Sequence, residues 1–216
     1  ADSFDLSGAR IIPASEVSFD VPPQPPAEPT LLVASECHEY ADRHPNFYSL
    51  IQPELFRKYR INSPARGEGR ERLVVAVHIR RGDVNGHAAE RFTSNSHVAL
   101  QIDELSRSLA PLPHEFHVYS QGNEEDFGEI LKRAILHLGG NVFECLESLI
   151  SADIFVMAKS SFSYTAALLA RGIVIYSPFW HAPLQQWIVT GERGDVCRSQ
   201  LRAALIRKML VRTARR

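Results

Sequence analysis

From Leu73 onward the chain alternates between apolar runs and amphipathic stretches. Leu73-Val74-Val75-Ala76-Val77-His78-Ile79 is apolar on both of its alternating faces except at His78, the pattern of a strand covered on both sides in a parallel sheet. Asn95 to Leu109 repeats Val98, Ile102, Leu105 and Leu109 at helical spacing, and Pro111 and Pro113 stop it. Glu115 to Ser120 predicts a second strand, and Glu124 to Leu138, with Phe127, Ile130, Leu131, Ile135 and Leu138 on one face, a second helix closed by Gly139-Gly140. A short strand at Asn141 to Phe143 and a helix at about Leu146 to Ser151 follow. Then come a strand over Asp153 to Ala158, a helix from Ser161 to Ala170 ended by Gly172, and a strand at Ile173 to Tyr176. Strand followed by helix, repeated, means right-handed βα crossovers, so residues 70–216 are expected to form an α/β, Rossmann-like doubly wound parallel sheet.

The first 69 residues have no such rhythm and read as an N-terminal extension. Val21 to Pro29 holds five prolines in nine residues, which removes amide donors and forces extended backbone, so it predicts a stiff connector. Short strands are expected at Arg10 to Pro13 and Glu16 to Val21, a short apolar run at Leu31 to Ala34, and a helix starting at Pro53 to Tyr59. Ser63 to Arg72 reads as a Gly/Arg-rich loop. The tail Arg198 to Arg216 carries seven Lys/Arg and no acid, with Leu201, Leu205 and Met209 on one side, and predicts an amphipathic helix packed on the sheet.

Composition narrows the partners. The 216 residues hold 24 Lys+Arg against 25 Asp+Glu, so there is no bulk attraction to nucleic acid, and an anion must be held by a few placed cations. No apolar run reaches the length of a bilayer span, so no transmembrane segment is expected. Residue 1 is Ala and no basic segment followed by an apolar one succeeds it, so no secretory signal is read here. Three scattered cysteines make neither a zinc knuckle nor a disulfide framework. Nine histidines follow no ligand spacing, and Asp-x-Asp and His-x-x-x-His are absent, so no metal is expected. Neither Gly-rich phosphate loop is present, which removes P-loop and dinucleotide readings.

Ligands of open α/β sheets bind beyond the carboxyl ends of the strands, and two exits carry chemistry. The first strand runs into His78-Ile79-Arg80-Arg81-Gly82-Asp83. Adjacent arginines should point to opposite sides, one entering the cleft and the other reaching back to an acid such as Asp83. A guanidinium fork suits a diphosphate through parallel, charge-assisted hydrogen bonds, while a structural Arg–Asp pair is the plainer alternative. Arg81-Gly82-Asp83 also matches an adhesion tripeptide, but it follows a buried strand directly. The later strand runs into Lys159-Ser160-Ser161-Phe162-Ser163-Tyr164, where serines and helix N–H groups can cap the helix or receive an anion. An arginine fork facing a serine-rich helix start at one sheet edge suits a nucleotide diphosphate.

At these residues the chain resembles a family. His78-Ile79-Arg80-Arg81-Gly82-Asp83 is similar to the His-x-Arg-Arg-x-Asp motif of the α1,2-, α1,6- and protein O-fucosyltransferase superfamily. Ser151 to Ser163 resembles its downstream Ala-Asp, apolar, Ser-Ser-Phe-Ser segment, and Val118-Tyr119-Ser120 its middle strand. The resemblance spans about residues 70–190 and implies the GDP-sugar-binding half of a GT-B glycosyltransferase, with inverting, metal-independent transfer and GDP-fucose as donor. Position by position, it gives Arg80 the diphosphate and His78 a place beside the donor. Arg81 and Asp83 shape the loop, Ser120 and Asp153 belong to the binding set, Ser160 and Ser161 hold the β-phosphate, and Ser163 caps the helix. The base of some relatives falls at Ala88 here, with Glu90 the nearest acid, and the guanine-reading acid falls at Cys145, with Glu144 and Glu147 either side. The resemblance implies a glycan or glycoprotein hydroxyl as acceptor, and leaves the compartment open between a Golgi lumen and a bacterial cytoplasm. The chain before Leu73 is too short for the second, acceptor-binding half of such an enzyme and lacks that half's usual Gly-x-Gly-Asn stretch. The chain is therefore expected to be an excerpt of a longer enzyme, a minimal enzyme with a borrowed acceptor site, or a degenerate, non-catalytic nucleotide-sugar or glycan-binding module, and a partner subunit using the basic tail is a further expectation.

Overall fold

The computed structural model describes residue 43 and residues 47–58, 71–84, 90–191 and 194–214. The backbone divides into Ala1–Phe47 and Tyr48–Arg216, and the architecture that follows belongs to the second unit. The strands expected before residue 40 and the loop at 63–70 lie outside the described residues.

Helix α1 spans Phe47–Lys58, with Pro53 inside it. Strand β1 (Leu73–His78) leads to α2 (Asn95–Leu109), then β2 (His114–Ser120), a 3-10 turn at Glu124–Ile130 and β3 (Ile135–Leu138). Next come α3 (Val142–Ser151), β4 (Ile154–Val156), α4 (Ser161–Leu169), β5 (Ile173–Tyr176), β6 (Ile188–Val189) and α5 (Arg198–Ala214). The six strands are all parallel in the order β3-β2-β1-β4-β5-β6, so the α/β, Rossmann-like doubly wound fold is correct. Order reverses between β1 and β4, the two strands whose exits carry the candidate chemistry.

The winding follows from alternation along the strands. Val75, Val77 and Ile79 face one layer, where Val98, Ile102, Leu105 and Leu109 of α2 and Leu201 and Leu205 of α5 close over them. Ala76 faces the other, against Leu149 and Ile150 of α3, Phe155 of β4, and Tyr164 and Leu168 of α4. Residues 198–214 of the basic tail thus form the expected helix, with Leu201 and Leu205 buried on the sheet.

One expected helix is not there. Glu124 to Leu138 divides into the 3-10 turn and strand β3, because Gly128 adopts φ 42° and ψ −108° inside the turn and the chain then runs alongside β2, Tyr119 beside His137. Phe127 and Ile130 are buried as predicted, while Ile135 is exposed at the sheet edge. The strand expected at Asn141 to Phe143 is instead the start of α3. Asn141 caps it, its side chain accepting the Phe143 N–H at 2.8 Å, a local bond that outweighs the weak strand pattern. Strand β6 was not predicted, since two residues carry no periodicity.

Asp153, at the amino end of β4, locks the switch point. Its Oδ2 accepts the Val74 N–H at 3.0 Å, and its Oδ1 pairs with the Lys208 ammonium of α5 at 3.2 Å. The carboxylate is 6% exposed, so removing it leaves the Val74 amide without its acceptor and takes the buried anion from Lys208, which keeps its bond to the Asp153 carbonyl at 3.0 Å. Gly172, between α4 and β5, sits where a Cβ would meet the Ala152 carbonyl oxygen at 2.2 Å and that of Asp153 at 2.7 Å. Neither backbone atom can yield without breaking the β4–β5 pairing. Asp153→Ala is expected to cost about 3 kcal/mol of unfolding free energy by urea titration. Gly172→Ala should cost at least about 2 kcal/mol. Losses below about 0.5 kcal/mol at either position contradict this account.

Candidate functional site

A cleft of about 920 Å³ opens over the carboxyl ends of β1 and β2 and runs along α3. It is lined by Arg80 and Arg81 after β1, Ser120 and Gln121 after β2, Glu144 of α3, and Ser160 and Ser161 at the start of α4. Its volume lies within the range of small-molecule sites. Doubly wound topology builds it: the segment after β1 departs to one face of the sheet and that after β4 to the other, leaving a crevice between them.

The first exit is shaped by one glycine. Gly82 takes φ 80°, a left-handed turn that folds Asp83 back onto Arg80. Arg80 Nε donates to Asp83 Oδ1 at 3.0 Å and Nη2 to Oδ2, a two-toothed ion pair. The hydrogen bond with Arg80 lowers the Asp83 carboxyl and raises the Arg80 guanidinium from their ordinary values. The expected division of labour between the arginines is therefore only half right. Arg80 both lines the cleft and holds Asp83. Arg81 turns to α2, donating to Asn95 Oδ1 at 2.8 Å and to the Arg80 carbonyl at 3.0 Å, with its guanidinium 4.5 Å from the Phe92 ring.

The second exit is tied to the first through Ser163. The N-cap of α4 is Ser160, which makes no side-chain capping bond. Ser163, expected to cap the helix, does something else: it is fully buried and its Oγ accepts the Ala158 N–H at 3.1 Å. The same oxygen lies 2.5 Å from His78 Nδ1. With the Ala158 amide already accepted, we assign the Ser163 O–H to His78 Nδ1, which leaves the imidazole proton on Nε2. Burial, and then the Arg80 charge, lower the His78 pKa to about 4, so the ring in the cleft wall is neutral. Phe162 meets His78 edge-on at 5.4 Å.

His78, Arg80, Arg81, Asp83, Ser120, Glu144, Ser160 and Ser161 all line this one cleft. Three further candidates do not. Ser163 is buried behind it, Asp153 is engaged at the opposite end of β4, and Glu90 is exposed, paired with Arg91 at 3.4 Å. Ser120 donates to the Ile79 carbonyl at 2.7 Å and so pins the two strand exits together.

Several lining residues carried no signal in the sequence. Tyr119 and His137 stack at 4.5 Å across β2 and β3, and His137 is hydrogen-bonded to His117 at 2.9 Å. Burial, then His117, lower the His137 pKa. Their alignment depends on strand register, which the helical spacing of Glu124 to Leu138 hides. Arg91 also lines the cleft, its guanidinium 4.4 Å from the Trp180 ring. His181, next in the chain, places Nε2 3.3 Å from Ser161 Oγ. Only the interval between Arg91 and Trp180, closed by folding, makes these contacts.

Among the described residues no group of three His, Cys, Asp or Glu side chains is placed to hold a metal ion, and no helix is long and apolar enough to cross a membrane. No protein-family model matches the chain, and no curated protein does.

A neutral buried imidazole has a consequence for acid stability. The unfolded chain protonates His78 at its ordinary value of 6.5 and the folded chain only at about 4, so its contribution is present above 6.5 and is lost as pH falls toward 4. Urea midpoints measured at about pH 7 and about pH 5 should differ less in His78→Gln than in the wild type. An unchanged difference assigns the acid sensitivity elsewhere. Ser163→Ala, which leaves the Ala158 amide and His78 Nδ1 without partners, should cost about 2 kcal/mol in the same titration and alter the His78 nitrogen shifts in NMR.

Proposed function

We propose that this chain is a nucleotide-sugar-binding glycosyltransferase unit that transfers fucose from GDP-fucose to a glycan or protein hydroxyl with inversion. The observation that carries this reading is the meeting of Arg80 with Ser160, Ser161 and the start of α4 in one cleft beside a neutral His78. A diphosphate lying across them would receive guanidinium, hydroxyl and backbone N–H donors at once, and the positive end of a nine-residue helix besides. The resemblance of His78 to Asp83 and of Ser151 to Ser163 to the fucosyltransferase motifs supports the donor.

In this reaction the acceptor oxygen attacks the anomeric carbon of the sugar from the face opposite the nucleotide. The bond from that carbon to the β-phosphate oxygen breaks, its electron pair leaves with GDP, and the acceptor proton passes to a base. Charge grows on the departing phosphate, so fixed donors there act more strongly in the transition state than in the ground state. Arg80 is the residue of this chain suited to that role. His78, neutral and tethered through Nδ1, offers its Nε2–H as a donor toward the nucleotide.

One observation favours a second reading, a non-catalytic nucleotide-sugar-binding module. Glu90, the acid nearest the expected base position, is exposed, pairs with Arg91 and does not line the cleft. Binding does not need it, whereas direct deprotonation of an acceptor does.

Thermal unfolding with GDP, UDP and ADP in parallel tests the shared part of both readings. GDP at about 100 times its dissociation constant should stabilise the wild type by about 2.7 kcal/mol, several degrees in midpoint, and Arg80→Ala should lose most of that shift. If no nucleotide moves the midpoint, both readings fall. GDP release from GDP-fucose, dependent on Arg80, then separates the transferase from the module.

A further inference from the structure

Three arginines line the cleft, and they are not equivalent as anion receptors. Arg80 has two of its five donors, those of one edge, committed to Asp83 and keeps the rest for a ligand. Arg81 is committed to Asn95 and to the Arg80 carbonyl, with its face toward Phe92. Arg91 is different. Its guanidinium lies over Trp180 at 4.4 Å, and its Nε is buried without a hydrogen-bond acceptor. Glu90 lies 3.4 Å from that Nε and is itself 66% exposed, and the Arg91 charge also acts on the Asp83 carboxyl.

Stacking engages the face of a guanidinium, whereas its five N–H donors lie in the plane and point outward from the edge. A cation held by its face is therefore fixed in position with its hydrogen-bonding capacity largely intact. The Nε is closed off from solvent, so an anion in the cleft would be received by the Nη groups. Trp180 fits the same arrangement. A tryptophan 42% exposed at a cleft rim is an uncommon use of so large an apolar side chain, yet here it is braced against Phe179 at 4.9 Å and carries the arginine. The next residue, His181, is hydrogen-bonded to Ser161. One short loop thus supports both the cation and a hydroxyl at the start of α4.

We propose that Arg91, carried on Trp180, is a second guanidinium that grips the diphosphate of the bound nucleotide, acting with Ser161 and alongside Arg80. This inference rests on the nucleotide reading of the cleft and adds to it a second cation for the phosphates. It also accounts for Glu90, which acts as the resting counter-ion of Arg91 and is displaced by the ligand.

Isothermal titration of the full chain with inorganic pyrophosphate, GDP and guanosine tests it, using Arg91→Ala, Arg91→Lys, Trp180→Leu and Arg80→Ala, each checked for native circular dichroism. Arg91→Ala should weaken pyrophosphate and GDP about tenfold or more and leave guanosine unchanged. Arg91→Lys keeps the charge but not the planar fork, so it should recover only part of the affinity. Trp180→Leu should weaken the same two ligands to a smaller extent. Wild-type affinity in Arg91→Ala overturns the inference, and if Arg80→Ala abolishes binding in that case the nucleotide reading stands without it. A wild type that binds neither pyrophosphate nor GDP overturns both.

Discussion

The cleft depends on one hydrogen-bonded junction, in which Ser163 accepts the Ala158 amide and bonds to His78. It joins the carboxyl end of β1 to the turn after β4, the two neighbours at which strand order reverses. With it, the wall bearing Arg80 and the wall bearing Ser160 and Ser161 are held at a fixed separation, and a ligand spanning both loses less freedom on binding. The junction lies behind the cleft, so it shapes the site without touching what enters.

Electrostatics follows from that arrangement. The His78 ring sits among β1, α4 and Phe162, where burial makes the charged form costly, and the nearby Arg80 adds to that cost. A cationic His78 would contribute attraction for phosphate, but it would also compete with Arg80 for the same space. The molecule instead concentrates positive charge in guanidinium groups, which stay protonated and are held by stacking or pairing: Arg80 on Asp83, Arg81 beside Phe92, Arg91 over Trp180. The net charge of the chain is −1, so this concentration is local rather than general.

At the far side of the sheet the same economy of interactions holds the fold. Asp153 bonds to β1 through the Val74 amide and to α5 through Lys208, tying the two central strands to the C-terminal helix. A carboxylate in an Ala-Asp pair preceding an apolar strand has the look of a binding residue in sequence, and its position at the amino end of β4 makes it a structural one.

The amino-acid sequence by itself determined strands β1, β2, β4 and β5, the helices α2, α4 and α5, and the two strand exits at which chemistry gathers. Those features rest on local periodicity, and burial on one or both faces writes itself into consecutive residues. The 3-10 turn and β3 were hidden because Phe127, Ile130 and Ile135 satisfy a helical spacing by coincidence, and only pairing with β2 decides between the two. Tertiary structure alone decided which arginine holds Asp83, that Ser163 serves the β1–β4 junction rather than the helix cap, and that Arg91 meets Trp180 across 89 positions of chain. Contacts of that kind depend on where distant segments come together, and no short window of sequence contains both partners.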